Sequence, residues 1–97
     1  MEVIFDSLAK LELDDASDYY EFEVAGLGIS FKEEVKKAIR RICDNPDAWS
    51  IEQESLRRYL LHKFPYKIIY SIEQDYIYIL AIAHCHRQPD YWIDRKL

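Results

Sequence analysis

Tyr66-Lys67-Ile68-Ile69-Tyr70-Ser71-Ile72, then Glu73-Gln74-Asp75, then Tyr76-Ile77-Tyr78-Ile79-Leu80-Ala81-Ile82-Ala83-His84, is the stretch whose reading decides the fold. Aromatic and β-branched residues dominate both outer runs, as a pleated, half-buried strand favours. The polar connection between them is short enough for a hairpin, so the two runs pair antiparallel. Tyr66, Ile68, Tyr70 and Ile72 alternate with Lys67, Ile69 and Ser71, a mixed pattern with one face more apolar than the other. Ile77 to Ala83 is apolar at both parities. A strand with two apolar faces is covered on both sides and belongs at the centre of a sheet, with helices on one face.

Upstream, Leu56 to Phe64 is a third β-type run, which completes an antiparallel meander after a looser stretch containing Trp49. In an unbroken strand Arg57, Tyr59, Leu61 and Lys63 share one face, and Arg58, Leu60, His62 and Phe64 the other. Further upstream the period changes. Ala9, Leu13, Ala16, Tyr20 and Val24 predict a helix from about Ser7. Gly26-Leu27-Gly28 breaks it, and Ser30 with Glu33 matches a capping box, so a second helix is expected from near Ser30. Its face is Phe31, Val35, Ala38, Ile39 and Ile42, and Asn45-Pro46 stops it, because proline has no N–H and its predecessor avoids the α region. Glu2-Val3-Ile4-Phe5 is a short leading strand. The tail from Pro89 to Arg95 reads as a short terminal helix, with Pro89 in its first turn, or as an ordered coil. The expected fold is α+β in the order β-α-α-β-β-β, a helical hairpin packed on an antiparallel sheet, as one domain over residues 1–97.

Composition bounds the function classes. The chain has 97 residues, 49% hydrophobic and 32% charged, with two glycines and three prolines, which excludes a disordered chain and suffices for a metal-free core. The longest apolar run is far below the ~20 residues of a membrane span. The start, Met1-Glu2-Val3-Ile4-Phe5-Asp6, lacks the features of a secretory signal, so the expected compartment is the cytoplasm. There Cys43 and Cys85, without a CxxC spacing, read as packing thiols. The net charge is -5, divided unevenly: residues 1–54 carry six Lys and Arg against fourteen Asp and Glu, residues 55–97 seven against four. The carboxyl half is therefore the anion-facing half. The acidic run from Glu12 to Glu23 reads as the solvated face of the first helix.

Phe64-Pro65-Tyr66-Lys67-Ile68-Ile69-Tyr70, the strand ending Ile82-Ala83-His84, and the closing Arg87-Gln88-Pro89-Asp90-Tyr91-Trp92 together resemble the RelE/ParE superfamily of bacterial type II toxins, the ParE branch more than the RelE branch. Tyr19-Tyr20-Glu21, Leu27-Gly28 and Phe31 fall where that superfamily's helical hairpin carries its aromatic, its glycine turn and its anchor. The resemblance spans nearly the whole chain. It implies a toxin held inactive by a cognate antitoxin protein, in a toxin–antitoxin hetero-oligomer or beside a homodimer, with no membrane and no cofactor. ParE-like members are associated with DNA gyrase, whereas RelE-like members cleave messenger RNA on the ribosome. Two departures stand out: this chain is acidic where many members are basic, and the family's paired arginine reads here as His86-Arg87.

The candidate residues divide by these alternatives. Cleavage of RNA by its 2′-hydroxyl needs a base, an acid and cations for the phosphorane, for which Arg57, Arg58, Lys63, His84, Arg87 and Tyr91 are candidates. Binding of a protein target points to His86, Arg87, Tyr91, Trp92 and Arg95, a planar cation among large aromatics near the chain end. A third reading is a non-toxic member that binds only its antitoxin. His84 also fits a purely structural hydrogen bond at its strand end, and Trp92 a closing anchor on the sheet. His84 and His86 would face one way and Cys85 the other, two ligands where zinc takes three or four, so no metal is expected.

Overall fold

The computed structural model describes residues 1–87 and 90–95. Its elements are β1 (Glu2–Phe5), α1 (Ser7–Glu23), α2 (Leu27–Asp44), β2 (Ile51–Gln53), β3 (Leu56–Leu60), β4 (Tyr66–Ile72) and β5 (Tyr76–His84), with 3₁₀ turns at Pro46–Ala48 and Ile93–Arg95. The sheet order is β1-β5-β4-β3-β2. β3 to β5 form the expected antiparallel meander, and β1 adds parallel to β5 at one edge. β2 is an addition at the other edge that the sequence did not announce, since three residues carrying a register shift are too few for a period-2 signal. Pro89, expected to open a terminal helix, lies outside the described residues. Among them no helix is long and apolar enough to cross a membrane.

Both faces of the sheet are covered. On one, Ile68 and Tyr70 of β4 and Ile77, Ile79 and Ile82 of β5 pack with Phe31, Val35 and Ile42 of α2 and Ala9 and Ala16 of α1. On the other, Leu56, Ile69, Leu80, Ala81 and Ala83 surround Trp92. Tyr70 pairs with Ile79 but Ile69 pairs with Ala81, so Leu80 is an extra residue in β5, a bulge that reverses which parity faces the helices. Ile77 and Ile79 before the bulge and Ile82 after it thus share one core. The apolar character of β5 at both parities has two causes, cover on both faces and this reversal.

The second helix departs from its expected start. α2 begins at Leu27, behind Gly26 at φ 88°, a left-handed conformation that glycine adopts without strain. The Ser30–Glu33 capping box is not the N-terminus. Instead the Glu21 carboxylate of α1 accepts the N–H groups of Gly26 at 2.7 Å and Gly28 at 3.0 Å, so the preceding helix caps its successor. Those backbone hydrogen bonds, led by Gly26, hold the Glu21 carboxyl below its ordinary value of 4.5. The helices cross tightly at Gly28, whose carbonyl accepts the Ser17 hydroxyl at 3.0 Å. A Cβ at Gly28 would run into the Ser17 carbonyl oxygen and the Glu21 Cβ.

β3 is shorter than the run from Leu56 to Phe64 suggested. It ends at Leu60, because the Glu34 carboxylate of α2 takes the N–H groups of His62 and Lys63 and the chain turns through Pro65, which has no N–H to extend a ladder. Leu61 stays on the Tyr59 face as the alternation requires, but Phe64 reaches that same helix-side core, so the division of this run into alternating faces does not extend past Leu61. Phe64 and Tyr66 close an aromatic cluster with Tyr20 and Phe31, with ring centroids 4.9 to 6.2 Å apart. Cys43 packs at the edge of the same core, Cys85 is exposed, and both are free thiols.

Two measurements check this construction. Gly28→Ala should lower stability in denaturant unfolding by about 1–3 kcal/mol through overpacking, although alanine is the better helix former by about 1 kcal/mol; a stabilised variant would contradict the close crossing. Because Glu21 binds its proton less readily folded than unfolded, it contributes stability above the unfolded value that is lost as pH falls through the lowered folded one. Glu21→Gln should therefore flatten the acid limb of the stability–pH curve below 4.5, and an unchanged limb would refute the cap.

Candidate functional site

β1 ends at Phe5, where the Asp6 N–H donates to the Ile79 carbonyl at 2.9 Å, while β5 continues to His84. Beyond that rung no strand among the described residues pairs with the outer edge of β5, and its exposed groups need partners. α1 and the carboxyl-terminal tail supply them. The Glu12 carboxylate accepts the Ile82 N–H at 3.0 Å, and Arg95 donates to the Leu80 carbonyl at 3.1 Å. Glu12 and Arg95 also join each other through two hydrogen bonds of 2.9 and 3.0 Å, the fork geometry that makes guanidinium–carboxylate pairs strong. The Tyr91 hydroxyl donates to the same carboxylate at 2.7 Å. One carboxylate thus ties helix, sheet edge and tail together.

Glu12 was expected on a solvated acidic face, and the structure corrects that: the side chains of Glu12 and Arg95 are 15% and 12% exposed. The signal was in the sequence. Ala9, Glu12, Leu13 and Ala16 fall at i, i+3, i+4 and i+7, so Glu12 lies within the inward stripe of α1. Burial, then the hydrogen bond to Glu12, pushes the Tyr91 phenol far above the ordinary tyrosine range, so it stays a donor at physiological pH.

Beside this clamp lies a cleft of about 210 Å³, lined in part by Asp15, Tyr19, Tyr66, His84, Arg87 and Tyr91. The bulge at Leu80 turns His84 toward it, with its ring 5.0 Å from that of Tyr66. His84 Nδ1 accepts the N–H of His86 at 3.1 Å, and the His84 carbonyl accepts that of Arg87 at 3.0 Å, so His84 holds the turn that leads into the tail. With Nδ1 accepting, the neutral ring carries its proton on Nε2. The Arg87 guanidinium sits over the Tyr91 ring, 4.2 Å from its centroid. Burial first, with smaller contributions from Tyr20, Tyr19 and Glu12, raises Tyr66 above the ordinary tyrosine value, so its hydroxyl stays protonated.

The expected site residues separate into several places. His84, Arg87 and Tyr91 come together, and exposed His86 follows at the rim, 5.4 Å from the His84 ring. Arg57 donates to the carbonyls of Asp47 and Trp49, and Arg58 to the Ile51 carbonyl and to Glu52. Lys63 lines a different cleft, with Lys37, Arg41 and His62. None of these three cations lines the His84 cleft. Trp92 is not a surface contact: it is 1% exposed and fills the space that Ala81 and Ala83 leave on the second sheet face, with the Lys67 ammonium 5.2 Å over its ring. Arg95 is likewise not a free cation, since its charge is spent on Glu12. What the cleft presents is one guanidinium on an aromatic ring, an imidazole with a fixed tautomer, and carboxylates.

No curated protein matches the chain. Among solved structures it is similar to one described as a chromosomal ParDE TA system from P. aeruginosa, with a TM-score of 0.73 over 87% of this chain and 95% of that one. At 17% identity that likeness shows a shared fold. The sequence profile described as "ParE toxin of type II toxin-antitoxin system, parDE" matches residues 3–89. With nearly its whole length matched and the fold shared, the chain belongs to the ParE toxin family of type II toxin–antitoxin systems.

Proposed function

We propose that this ParE-family toxin arrests growth by binding a protein target in the cytoplasm, DNA gyrase, and that a cognate antitoxin neutralises it, the chain working as one domain over residues 1–97. Arg87 makes the central contact, with His86 beside it and the Tyr91 ring beneath it. A planar cation stacked on an aromatic at an exposed turn is the kind of group that dominates protein interfaces. Tyr91 supports Arg87, while Trp92 and Arg95 act from below by fixing the tail.

The observation that carries this reading is the dispersal of the cations. Cleavage of RNA needs positive charge converging on one phosphate, yet Arg57, Arg58 and Lys63 lie away from His84 and Arg95 is neutralised by Glu12. Arg87 is the one cation among the described residues that line the His84 cleft, and it shares that cleft with Glu12 and Asp15. Glu12 is matched by Arg95, so Arg87 and Asp15 leave the cleft without the net positive charge that would gather a polyanion, and it suits a protein surface better. The fixed Nε2–H of His84 gives a hydrogen-bond donor there rather than a general base.

Induction of the chain alone in a bacterial host should suppress thymidine incorporation before amino-acid incorporation. Arg87→Ala, removing a contact worth about 2 kcal/mol or more, should relieve the arrest. Early loss of translation would overturn this reading in favour of a ribosome-dependent nuclease. Loss of neither would leave only the antitoxin-binding role.

A further inference from the structure

We propose that Glu12 is a positioning residue for Arg87: by fixing Tyr91 and Arg95, it holds the Arg87 guanidinium in its target-binding place before any target arrives. The inference rests on the reading of Arg87 as the target contact, and extends it to a residue of the first helix.

The chain of contacts is continuous. The Glu12 carboxylate accepts the Tyr91 hydroxyl at 2.7 Å and both Nη groups of Arg95 at 2.9 and 3.0 Å. The ring so fixed lies 4.2 Å from the Arg87 guanidinium and 5.1 Å from that of Arg95. Trp92, between the two anchored residues, is buried against Leu80, Ala81 and Ala83. An arginine on a free tail must lose rotamer and backbone freedom when it binds, at roughly 0.5–1.5 kcal/mol per side chain. Here Tyr91 and Arg95 are already held, through an α1 residue 79 positions before Tyr91. The carboxylate does this only while charged and doubly accepting. A glutamine amide offers one oxygen to the four donors that Glu12 serves and turns an NH₂ toward the others.

The test compares Glu12→Gln, Tyr91→Phe and Glu34→Gln in the full chain. Glu34→Gln serves as the comparison because it takes a carboxylate away from two backbone N–H groups at the β3–β4 turn, remote from the cleft. The first reading is the Arg87 side-chain N–H signal in NMR spectra, assigned through Arg87→Lys and displaced upfield by the Tyr91 ring current. The second is the inducer concentration that half-arrests growth. Glu12→Gln should return the Arg87 signal to the position of an exposed arginine and raise the half-arrest concentration about tenfold, as loss of one charge-assisted contact would. Tyr91→Phe keeps the ring but releases it from Glu12, and should move the signal in the same direction, less far; it carries the test if Glu12→Gln fails to fold. Glu34→Gln should leave both readings at the parent's values. The inference is overturned if the Arg87 signal stays in place in folded Glu12→Gln, or if Glu34→Gln shifts both readings equally. If the signal moves while Arg87→Ala arrests growth like the parent, positioning stands and the assignment of Arg87 as target contact fails.

Discussion

A carboxylate taken out of water is costly unless every lone pair finds a donor, and the arrangement of this protein's carboxyl-terminal half follows from how Glu12 meets that condition. Its donors are the Ile82 amide on the unpaired edge of β5, the Tyr91 hydroxyl and the Arg95 guanidinium. The helix that carries Glu12 is set against the sheet by Ala9 and Ala16, both buried in the helix-side core, so the carboxylate has little freedom to move away. The sheet edge, the tail and the first helix must therefore be correct together. Removing Arg95 leaves a partly buried carboxylate without a counter-charge, and removing Tyr91 or Glu12 leaves a buried polar group short of a partner, so the contacts are expected to act as a unit rather than a sum.

The bulge at Leu80 is the second condition. Without the extra residue, Ile82 and His84 would face the tail side of the sheet and Ala81 and Ala83 the helices. With it, two small alanines lie under the Trp92 ring, and His84 enters the cleft beside Tyr66. Closure of the second face by Trp92 and presentation of Arg87 above Tyr91 are thus two results of a single insertion in β5.

Much of this was legible in the sequence, and what was not has a common cause. The helix periods of α1 and α2, the two long strands and the aromatic block at Phe64 and Tyr66 are local signals, and the elements lie where those signals put them. The start of α2 was misplaced because its cap comes from Glu21 on the previous helix rather than from Ser30 within its own turn. β3 was read too long because Glu34, 28 residues away from His62, takes the amides that would have continued it. The partners of Glu12 lie more than 69 positions downstream, and no periodicity reports such a distance, although its place in the inward stripe marked it as unusual. The charge division misled in the same way. The basic carboxyl half does not make a basic face, because Arg57, Arg58, Lys67 and Arg95 are spent on carbonyls and carboxylates.

The central claim, that the tail is clamped in the free protein, is tested most directly by native-state hydrogen exchange on the chain without any partner. The Ile82 amide points away from β4, and its protection depends on Glu12. It should exchange on the slow scale of the Ile68 and Ile69 ladder amides, since opening it requires release of the clamp. Exchange at the rate of a solvent-exposed strand edge would show the clamp open in solution and contradict the account.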